Sequence, residues 1–301
     1  MEMERQEWLE KRRAGIGGSD CAAMLGLSKY RSPYQLYLDK RGELPETEDN
    51  EAMFWGRELE PVIRKRYERE MNCTVITDEG ILQHRDYPFM LANLDGRISD
   101  DLILEIKTAR YDDGWGEVGT AEIPISYSLQ CQWYLCITGA KSADVAVLIS
   151  GSDYRLYRVE KDLELQTMLI DAAIEFWQRV QDGNPPEVIT YDDAVERYGK
   201  SVSAGDVFAT EEVYDACEAI KKIKRTVKTL EEMENINKAI ICKYMSDNYD
   251  TVLSPEGKAI VTWKLSKGRS GFDSKTFKAA YPLLYEQFNT TGEPSRKLLI
   301  K

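Results

Sequence analysis

The alternation of apolar and polar positions predicts both helices and strands along this chain. In the stretch that begins at Met53, apolar side chains at Leu59, Val62, Ile63 and Tyr67 recur at helical spacing. Shorter segments typical of strands follow, in the order CTVIT, GILQH, PFMLANLDGRISD and DLILEIKTA. A helix in SYSLQCQWYLCITG then precedes two more strand-like segments, ADVAVLISG and DYRLYRVE. The pattern predicts an α/β domain with a mixed sheet.

A composition change after this domain predicts a boundary. The long helical pattern KDLELQTMLIDAAIEFWQRVQDG ends at Gly183 and is followed by Pro185 and Pro186. We therefore predict a main domain over residues 1–190 and a C-terminal extension over residues 200–301. In the extension, a long charged helix precedes a β-hairpin that turns in the segment SPEG.

The segment LILEIKTAR places two charges inside an apolar strand. Alternate side chains of a strand point to opposite faces, so Leu104 and Ile106 share one face while Ile103, Glu105 and Lys107 share the other. Apolar residues on both faces predict a strand that is covered on both sides. Burying a carboxylate and an ammonium is costly unless each is compensated, so these charges need partners.

The preceding segment supplies a candidate partner. LDGRISDD indicates a strand, a turn and a return into LILEIK, and this hairpin would bring Asp95 close to Glu105. Two adjacent carboxylates repel each other unless a divalent cation lies between them. Mg²⁺ prefers such hard oxygen ligands, and Lys107 on the same face could contact a bound water or an attacked phosphate.

Three further side chains are candidates for this site. Glu60 lies on the helix that precedes the strands and could offer another carboxylate. Gln130 and Tyr134 are four residues apart, so they share one helix face that could hold a water or the DNA backbone. The alternative interpretation makes Glu60 a solvated acid and the other two a surface pair.

Composition and charge exclude several classes of protein. The 301 residues carry a formal charge of −12, which argues against a body coated in nucleic acid. Basic residues are nevertheless clustered, for example in RKRYER, KKIKR and KLSKGRSGFDSKTFK. Six scattered cysteines and no secretion signal indicate free thiols in the cytoplasm of a bacterial or phage-infected cell, and no apolar run could span a bilayer. A single histidine, His84, excludes a multi-histidine zinc site.

Five blocks of this sequence resemble the YqaJ-type viral recombinase nucleases, relatives of phage lambda exonuclease within the PD-(D/E)XK superfamily. They are GIGGSDCAAMLGLSKYRSPYQLYLDKRG, FWGRELEPVIRKRYE, FMLANLDG with LILEIKTA, IPISYSLQCQWYLCITG and ADVAVLISG, in the family's order over about residues 10–185. The resemblance implies a restriction-endonuclease-like α/β core, with a central mixed sheet flanked by helices. It also implies Mg²⁺-dependent hydrolysis of duplex DNA from an end, in the 5′ to 3′ direction.

The resemblance also implies roles for individual residues. Lys107 would activate water or stabilise charge, and Gln130 lies in the family's helical motif. One departure is Leu94, which stands where the superfamily has proline; proline supplies no ligand, so we expect activity to be retained. The implied ligands of Mg²⁺, for which Mn²⁺ may substitute, are Glu60, Asp95, Glu105 and the carbonyl of Ile106.

The glycine-rich segment AGIGGSD permits two interpretations. It is not a phosphate-binding loop of the Walker A kind, because no Gly-Lys-Ser/Thr follows. In lambda-type exonucleases an arginine and a serine are implied to hold the terminal 5′-phosphate, and Arg12 and Ser19 best match them, with Arg13 as an alternative. The other interpretation is a plain helix cap, from Ser19 or Asp20, beside two solvent-facing arginines.

Three hypotheses for function follow. The first is an exonuclease that makes single-stranded tails for recombination, with a strand-annealing protein as partner and a homo-oligomeric ring as a possible assembly. The second is an endonuclease on the same fold. The third is a catalytically silent DNA-binding or adaptor protein, which the presence of Asp95, Glu105 and Lys107 together disfavours.

Overall fold

The structure is a computed structural model, and it divides the chain into two compact units, Met1–Arg197 and Tyr198–Lys301. It describes residues 10–45, 49–77, 80–200, 205–268, 270–290, 292 and 294–300.

The first unit alternates helices and strands in the predicted manner. It opens with β1 (Ile16–Gly17), a 3₁₀ helix (Gly18–Asp20), α1 (Cys21–Met24), α2 (Pro33–Lys40) and α3 (Glu51–Met71). The strands β2 (Leu82–Gln83), β3 (Met90–Ala92), β4 (Gly96–Ser99) and β5 (Leu102–Ala109) follow. The unit continues through α4 (Ile125–Thr138), β6 (Ser142–Ile149), β7 (Asp153–Glu160), α5 (Leu163–Asp182) and α6 (Tyr191–Tyr198).

The predicted mixed sheet is confirmed. Four strands lie in the order β4-β5-β6-β7, with β5 and β6 parallel and both outer pairs antiparallel. A smaller sheet has the order β1-β3-β2, with β1 and β3 parallel. The mixed pairing follows from the connections, because a tight hairpin joins β4 to β5 whereas helix α4 carries the chain from β5 to the parallel strand β6.

Strand β5 is covered on both faces, as its apolar pattern predicts. Leu104 and Ile106 pack in one cluster with Ile63 and Tyr67 of α3. Ile103, on the opposite face, belongs to the larger core that includes residues of α4 and α5. Strand β5 therefore packs between helices on both of its faces, and this packing positions the side chains at its carboxyl end.

The N-terminal segment corrects one expectation. Asp20 stands at the position before α1, but neither it nor Ser19 caps that helix with a side-chain hydrogen bond. The Asp20 carboxylate instead accepts the backbone N–H of Gly17 at 3.0 Å and pairs with the buried Lys40 ammonium at 2.6 Å. The Asp20 carboxylate therefore contacts the start of the 3₁₀ helix and a buried tertiary partner instead of capping α1.

The second unit contains the predicted long helix and hairpin. Its elements are α7 (Glu211–Met245), β8 (Thr251–Leu253), β9 (Ala259–Thr262), α8 (Ser274–Ala280) and α9 (Pro282–Phe288). Strands β8 and β9 pair antiparallel around the SPEG turn. Across the described ranges of both units, no helix has the length and apolar character needed to cross a membrane.

Candidate active site

The hairpin of β4 and β5 places Asp95 opposite Glu105. Gly96 pairs with Leu104, so the residue before Gly96 faces the residue after Leu104. Asp95 Oδ2 accepts the backbone N–H of Ile106 at 2.7 Å. Because the N–H and C=O of one strand residue point to the same edge, the carbonyl of Ile106 is also directed toward the Asp95 side. The predicted proximity of these groups is therefore present in the structure.

Glu105 is almost fully buried and has two partners for one of its oxygens. Its Oε1 accepts a hydrogen bond of 2.8 Å from Gln130 Nε2 and forms an ion pair with Lys107. The other oxygen, Oε2, is buried and has no hydrogen-bond partner in the described structure. A buried carboxylate oxygen without a donor is costly. In the described structure, the Oε2 atom of Glu105 therefore lacks a hydrogen-bond donor to offset the cost of its burial.

Lys107 is held in place by charge and by an aromatic ring. Its Nζ lies 5.0 Å from the ring centroid of Tyr127, within the range of a cation–π contact. Burial lowers the pKa of Lys107, but the nearby Glu105 and Asp95 carboxylates outweigh burial and raise it. The two carboxylates therefore favour the charged form of Lys107 at this site.

The three carboxyl groups of the site repel one another's ionised forms. Burial and the neighbouring Asp95 raise the pKa of Glu105 to about 8. Burial also raises the pKa of Asp95, and burial with the Asp95 charge raises the pKa of Glu60. Burial is the largest cause of all three shifts, and repulsion by neighbouring carboxylates adds to it for Glu105 and Glu60.

Helix α4 turns its polar face inward, so the interpretation of Gln130 and Tyr134 as a surface pair is wrong. Both are buried, and Gln130 Nε2 also donates to the Tyr134 hydroxyl at 3.1 Å. The 3₁₀ helix packs directly on them: a Cβ atom on Gly18 would lie 2.5 Å from a Tyr134 ring carbon and 3.0 Å from Gln130 Cγ. Glycine at this position permits that close approach.

These groups line a cleft of about 520 Å³. Apart from Arg13, the cleft brings together every candidate residue from the sequence. Its described lining includes Arg12, Ser19, Glu60, Asp95, Glu105, Ile106, Lys107, Gln130 and Tyr134.

Arg12 lines the cleft and contacts the buried ion pair of Asp20 and Lys40. Its guanidinium Nη2 lies 3.6 Å from Asp20 Oδ1, and its backbone carbonyl accepts a hydrogen bond of 3.1 Å from Lys40 Nζ. The Lys40 side chain is completely buried. The described cleft lining includes Arg12 and not Arg13, and both arginines are half-buried rather than fully solvent-facing.

Several cleft residues were missed from the sequence. Arg57, Asn93 and Thr108 line the cleft, and Tyr127 contacts Lys107. Thr108 follows Lys107 on the same strand, and Asn93 lies two residues before Asp95, so proximity to the acidic positions was an available signal. Tyr127 lies beyond a long loop, and only the packing of α4 on β5 brings it to Lys107.

The carboxylates of the cleft are candidate ligands for a hard divalent cation. Among the described residues, no three His, Cys, Asp or Glu side chains already surround a common point. Lys107 pairs with Glu105, and Arg64 pairs with Glu60. Carboxylate oxygens are nevertheless the ligands that Mg²⁺ prefers, and the unpartnered Glu105 Oε2 is one of them. Glu105, Asp95, Glu60 and the Ile106 carbonyl are the groups that would hold the ion.

Comparison with known proteins shows which family this chain resembles. Residues 7–141 match the family model described as YqaJ-like viral recombinase domain. This part of the chain is therefore similar to the YqaJ-like viral recombinase domain. The uncharacterized protein YqaJ of Bacillus subtilis (strain 168) is 40% identical over 205 residues, which are 66% of this chain and 63% of that protein. The match thus spans less than two thirds of this relative.

Two solved structures have a fold similar to that of this chain. An alkaline exonuclease, LHK-Exo, from Laribacter hongkongensis is 23% identical with a TM-score of 0.51. LHK-Exo in complex with dAMP is 24% identical with a TM-score of 0.50. Each similarity covers 60% of this chain and 94% of the other. The expected fold, a restriction-endonuclease-like α/β core with a central mixed sheet flanked by helices, is confirmed.

Proposed function

We propose that this protein is a metal-dependent deoxyribonuclease that hydrolyses double-stranded DNA from an end. The observation that carries the proposal is the pairing of Glu105 with Lys107 at the carboxyl end of β5, opposite Asp95 and facing an open cleft. Two acids and a lysine in this arrangement fit phosphodiester hydrolysis, because they combine a cation site with a fixed positive charge.

Different residues of this chain would have separate roles in phosphodiester hydrolysis. When bound, Mg²⁺, or Mn²⁺ in its place, would supply Lewis-acid stabilisation and an activated water. Lys107 carries a positive charge that would stabilise the negative charge developing on the attacked phosphate. Gln130 holds Glu105 by a hydrogen bond of 2.8 Å, which fixes the carboxylate toward the cleft. Asp95 is fixed in the same way by the N–H of Ile106.

Arg12 and Ser19 would bind the DNA end. Both residues line the cleft, and Ser19 is exposed. A guanidinium and a hydroxyl are suited to a terminal 5′-phosphate. Binding of that phosphate supports digestion from 5′ to 3′, which would leave single-stranded 3′ tails for recombination. A strand-annealing protein is the partner we propose for those tails, and a homo-oligomeric ring would keep the enzyme on its substrate.

The test uses purified protein with matched linear and covalently closed circular plasmids, in Mg²⁺ or in EDTA. We expect Mg²⁺-dependent loss of the linear DNA only, and no loss with the Lys107→Ala variant. Cutting of the closed circle would instead identify an endonuclease. If neither plasmid is degraded with any divalent metal while the protein still binds DNA, the nuclease proposal is wrong and the protein is a silent scaffold.

Polarity is measured separately, with duplexes labelled at one end and either phosphorylated or unphosphorylated at the 5′ terminus. We expect faster digestion of the phosphorylated end. The Arg12→Ala variant should reduce the difference between the two substrates, whereas Arg13→Ala should preserve it, because Arg13 does not line the cleft.

A further inference from the structure

The C-terminal part of the chain has a charge opposite to that of the rest. Residues 258–301 contain three acids, Asp273, Glu286 and Glu293. They contain nine of the chain's 40 basic residues, namely Lys258, Lys264, Lys267, Arg269, Lys275, Lys278, Arg296, Lys297 and Lys301. The remaining 257 residues therefore hold 31 basic and 49 acidic residues. A basic segment on a strongly acidic protein indicates an anionic ligand.

Exposed aromatic rings accompany these charges on α8 and α9. The Phe277 ring lies 4.9 Å from Phe272 and 5.5 Å from Tyr281, between ring centroids. Phe272 is 73% exposed and Tyr281 is 60% exposed. Phe272, Phe277 and Tyr285 also line a cleft of about 380 Å³ within this unit. Phe272 and Tyr281 are thus largely accessible to solvent, whereas Phe277 and Tyr285 are partly buried beside them.

Two lysines lie on α8, the short helix that carries Phe277. Lys275 and Lys278 are both exposed and are three residues apart on α8, so they are neighbours on its surface. Lys278 Nζ lies 5.0 Å from the ring centroid of Tyr285, which fixes the charge beside the aromatic cleft. We call Phe272, Lys275, Phe277, Lys278, Tyr281 and Tyr285 the aromatic–lysine surface.

We propose that the aromatic–lysine surface binds single-stranded DNA, and this identity of the ligand rests on the proposed nuclease function. Proteins bind single strands by combining positive charges that follow the phosphates with aromatic rings on which the bases stack. Duplex DNA hides its base faces, so exposed rings favour the single strand. The surface would hold the tail that digestion leaves.

The test measures binding of the full-length protein to a fluorescent oligothymidylate by anisotropy, in EDTA and over a range of salt concentrations. We expect the double variant Lys275→Glu/Lys278→Glu to bind at least tenfold more weakly. Each phosphate contact contributes about 0.7 to the salt slope for single strands, so losing two should reduce the slope by about 1.4. The matched control is Lys224→Glu/Lys228→Glu on α7, which makes the same charge change at two exposed positions.

A second variant tests stacking without changing charge. Tyr281→Ala should weaken binding about fivefold or more and leave the salt slope unchanged, because base stacking on one ring is worth about 1–3 kcal/mol. Circular dichroism of each variant checks the fold, and Lys275→Gln/Lys278→Gln replaces the charge reversal if that variant is unfolded.

Three outcomes would overturn this proposal. The first is equal loss of binding in the α7 control, which would show general electrostatic attraction. The second is unchanged binding in both α8 double variants, and the third is equal competition by a duplex of the same length. Binding is measured in EDTA, so its result does not depend on nuclease activity. If the protein binds the single strand through α8 but does not degrade plasmid DNA, only the nuclease proposal is rejected.

Discussion

Gln130 Nε2 donates a hydrogen bond of 2.8 Å to Glu105 Oε1, and both side chains are buried. This contact joins helix α4 to strand β5 beside the ion pair of Glu105 and Lys107. Glu105 depends on it, because Lys107 is the only other described partner of that carboxylate. The hydrogen bond therefore sets the direction in which Glu105 faces the cleft.

The first prediction concerns this contact. Gln130→Leu removes the donor and leaves Glu105 free to turn, so we expect kcat/KM for linear DNA to fall about 10–100-fold, as for other groups that orient a ligand. The matched control is Gln132→Leu. Gln132 lies on the same helix and is buried, but it bonds the carbonyl of Glu160 and lies outside the cleft. It should lose stability and keep its rate per folded molecule; equal loss of rate in both variants would contradict the role of Gln130.

The second prediction concerns the metal and uses no activity assay. Mg²⁺ should raise the unfolding temperature, because a ligand at 100 times its Kd stabilises the folded state by about 2.7 kcal/mol. Asp95→Asn should abolish the increase, since it removes one of the opposed carboxylates. The control is Asp100→Asn, in the exposed turn of the same hairpin. Thermal unfolding followed by intrinsic fluorescence measures both, and equal shifts in the two variants would place the ion elsewhere.

The part of the site that lies on one hairpin could be predicted from the sequence. The alternation in LILEIKTAR and the turn in LDGRISDD determine the register, and the register places Asp95 opposite Glu105. The helical spacing of Gln130 and Tyr134 puts them on one face, but only the packing of α4 shows that this face is buried.

Contacts between distant segments could not be predicted in this way. The capping preference of aspartate suggested a local role for Asp20, whereas Lys40, twenty residues later, takes its carboxylate. That pairing depends on how α2 packs against the glycine-rich segment, which no periodicity encodes. The contact of Tyr127 with Lys107 has the same origin, since a loop separates the two residues in sequence.

The third prediction uses two adjacent glycines. Gly18→Ala should reduce both stability and activity, because the new methyl group would lie 2.5 Å from the Tyr134 ring and displace it or the 3₁₀ helix. Such overpacking costs about 1–3 kcal/mol. Gly17→Ala is the control: its nearest contact would be Asp20 Oδ2 at 3.6 Å, and its φ of −93° suits any residue. Urea unfolding and digestion of linear DNA measure the two effects, and equal tolerance of both alanines would contradict the tight packing.

The fourth prediction concerns the buried pair of Asp20 and Lys40. Asp20→Asn leaves the Lys40 ammonium in the interior without its counter-charge, so we expect the free energy of unfolding to fall by about 3–5 kcal/mol at neutral pH. Arg12 should also lose its place in the cleft, because Asp20 and Lys40 both contact it. Asp101→Asn, in the exposed pair with Lys141, should change stability little.

The same pair predicts a dependence on pH. Burial raises the pKa of Asp20, but Lys40 and Arg12 outweigh burial and lower it in the folded protein. A carboxyl with a lowered folded pKa stabilises the protein above the ordinary pKa of aspartate, and this contribution disappears as the pH falls through the lowered value. The difference in unfolding free energy between wild type and Asp20→Asn should therefore be largest near neutral pH and shrink below about pH 4. Urea unfolding across this pH range measures it, and a difference that stays constant would show that the ion pair is not its cause.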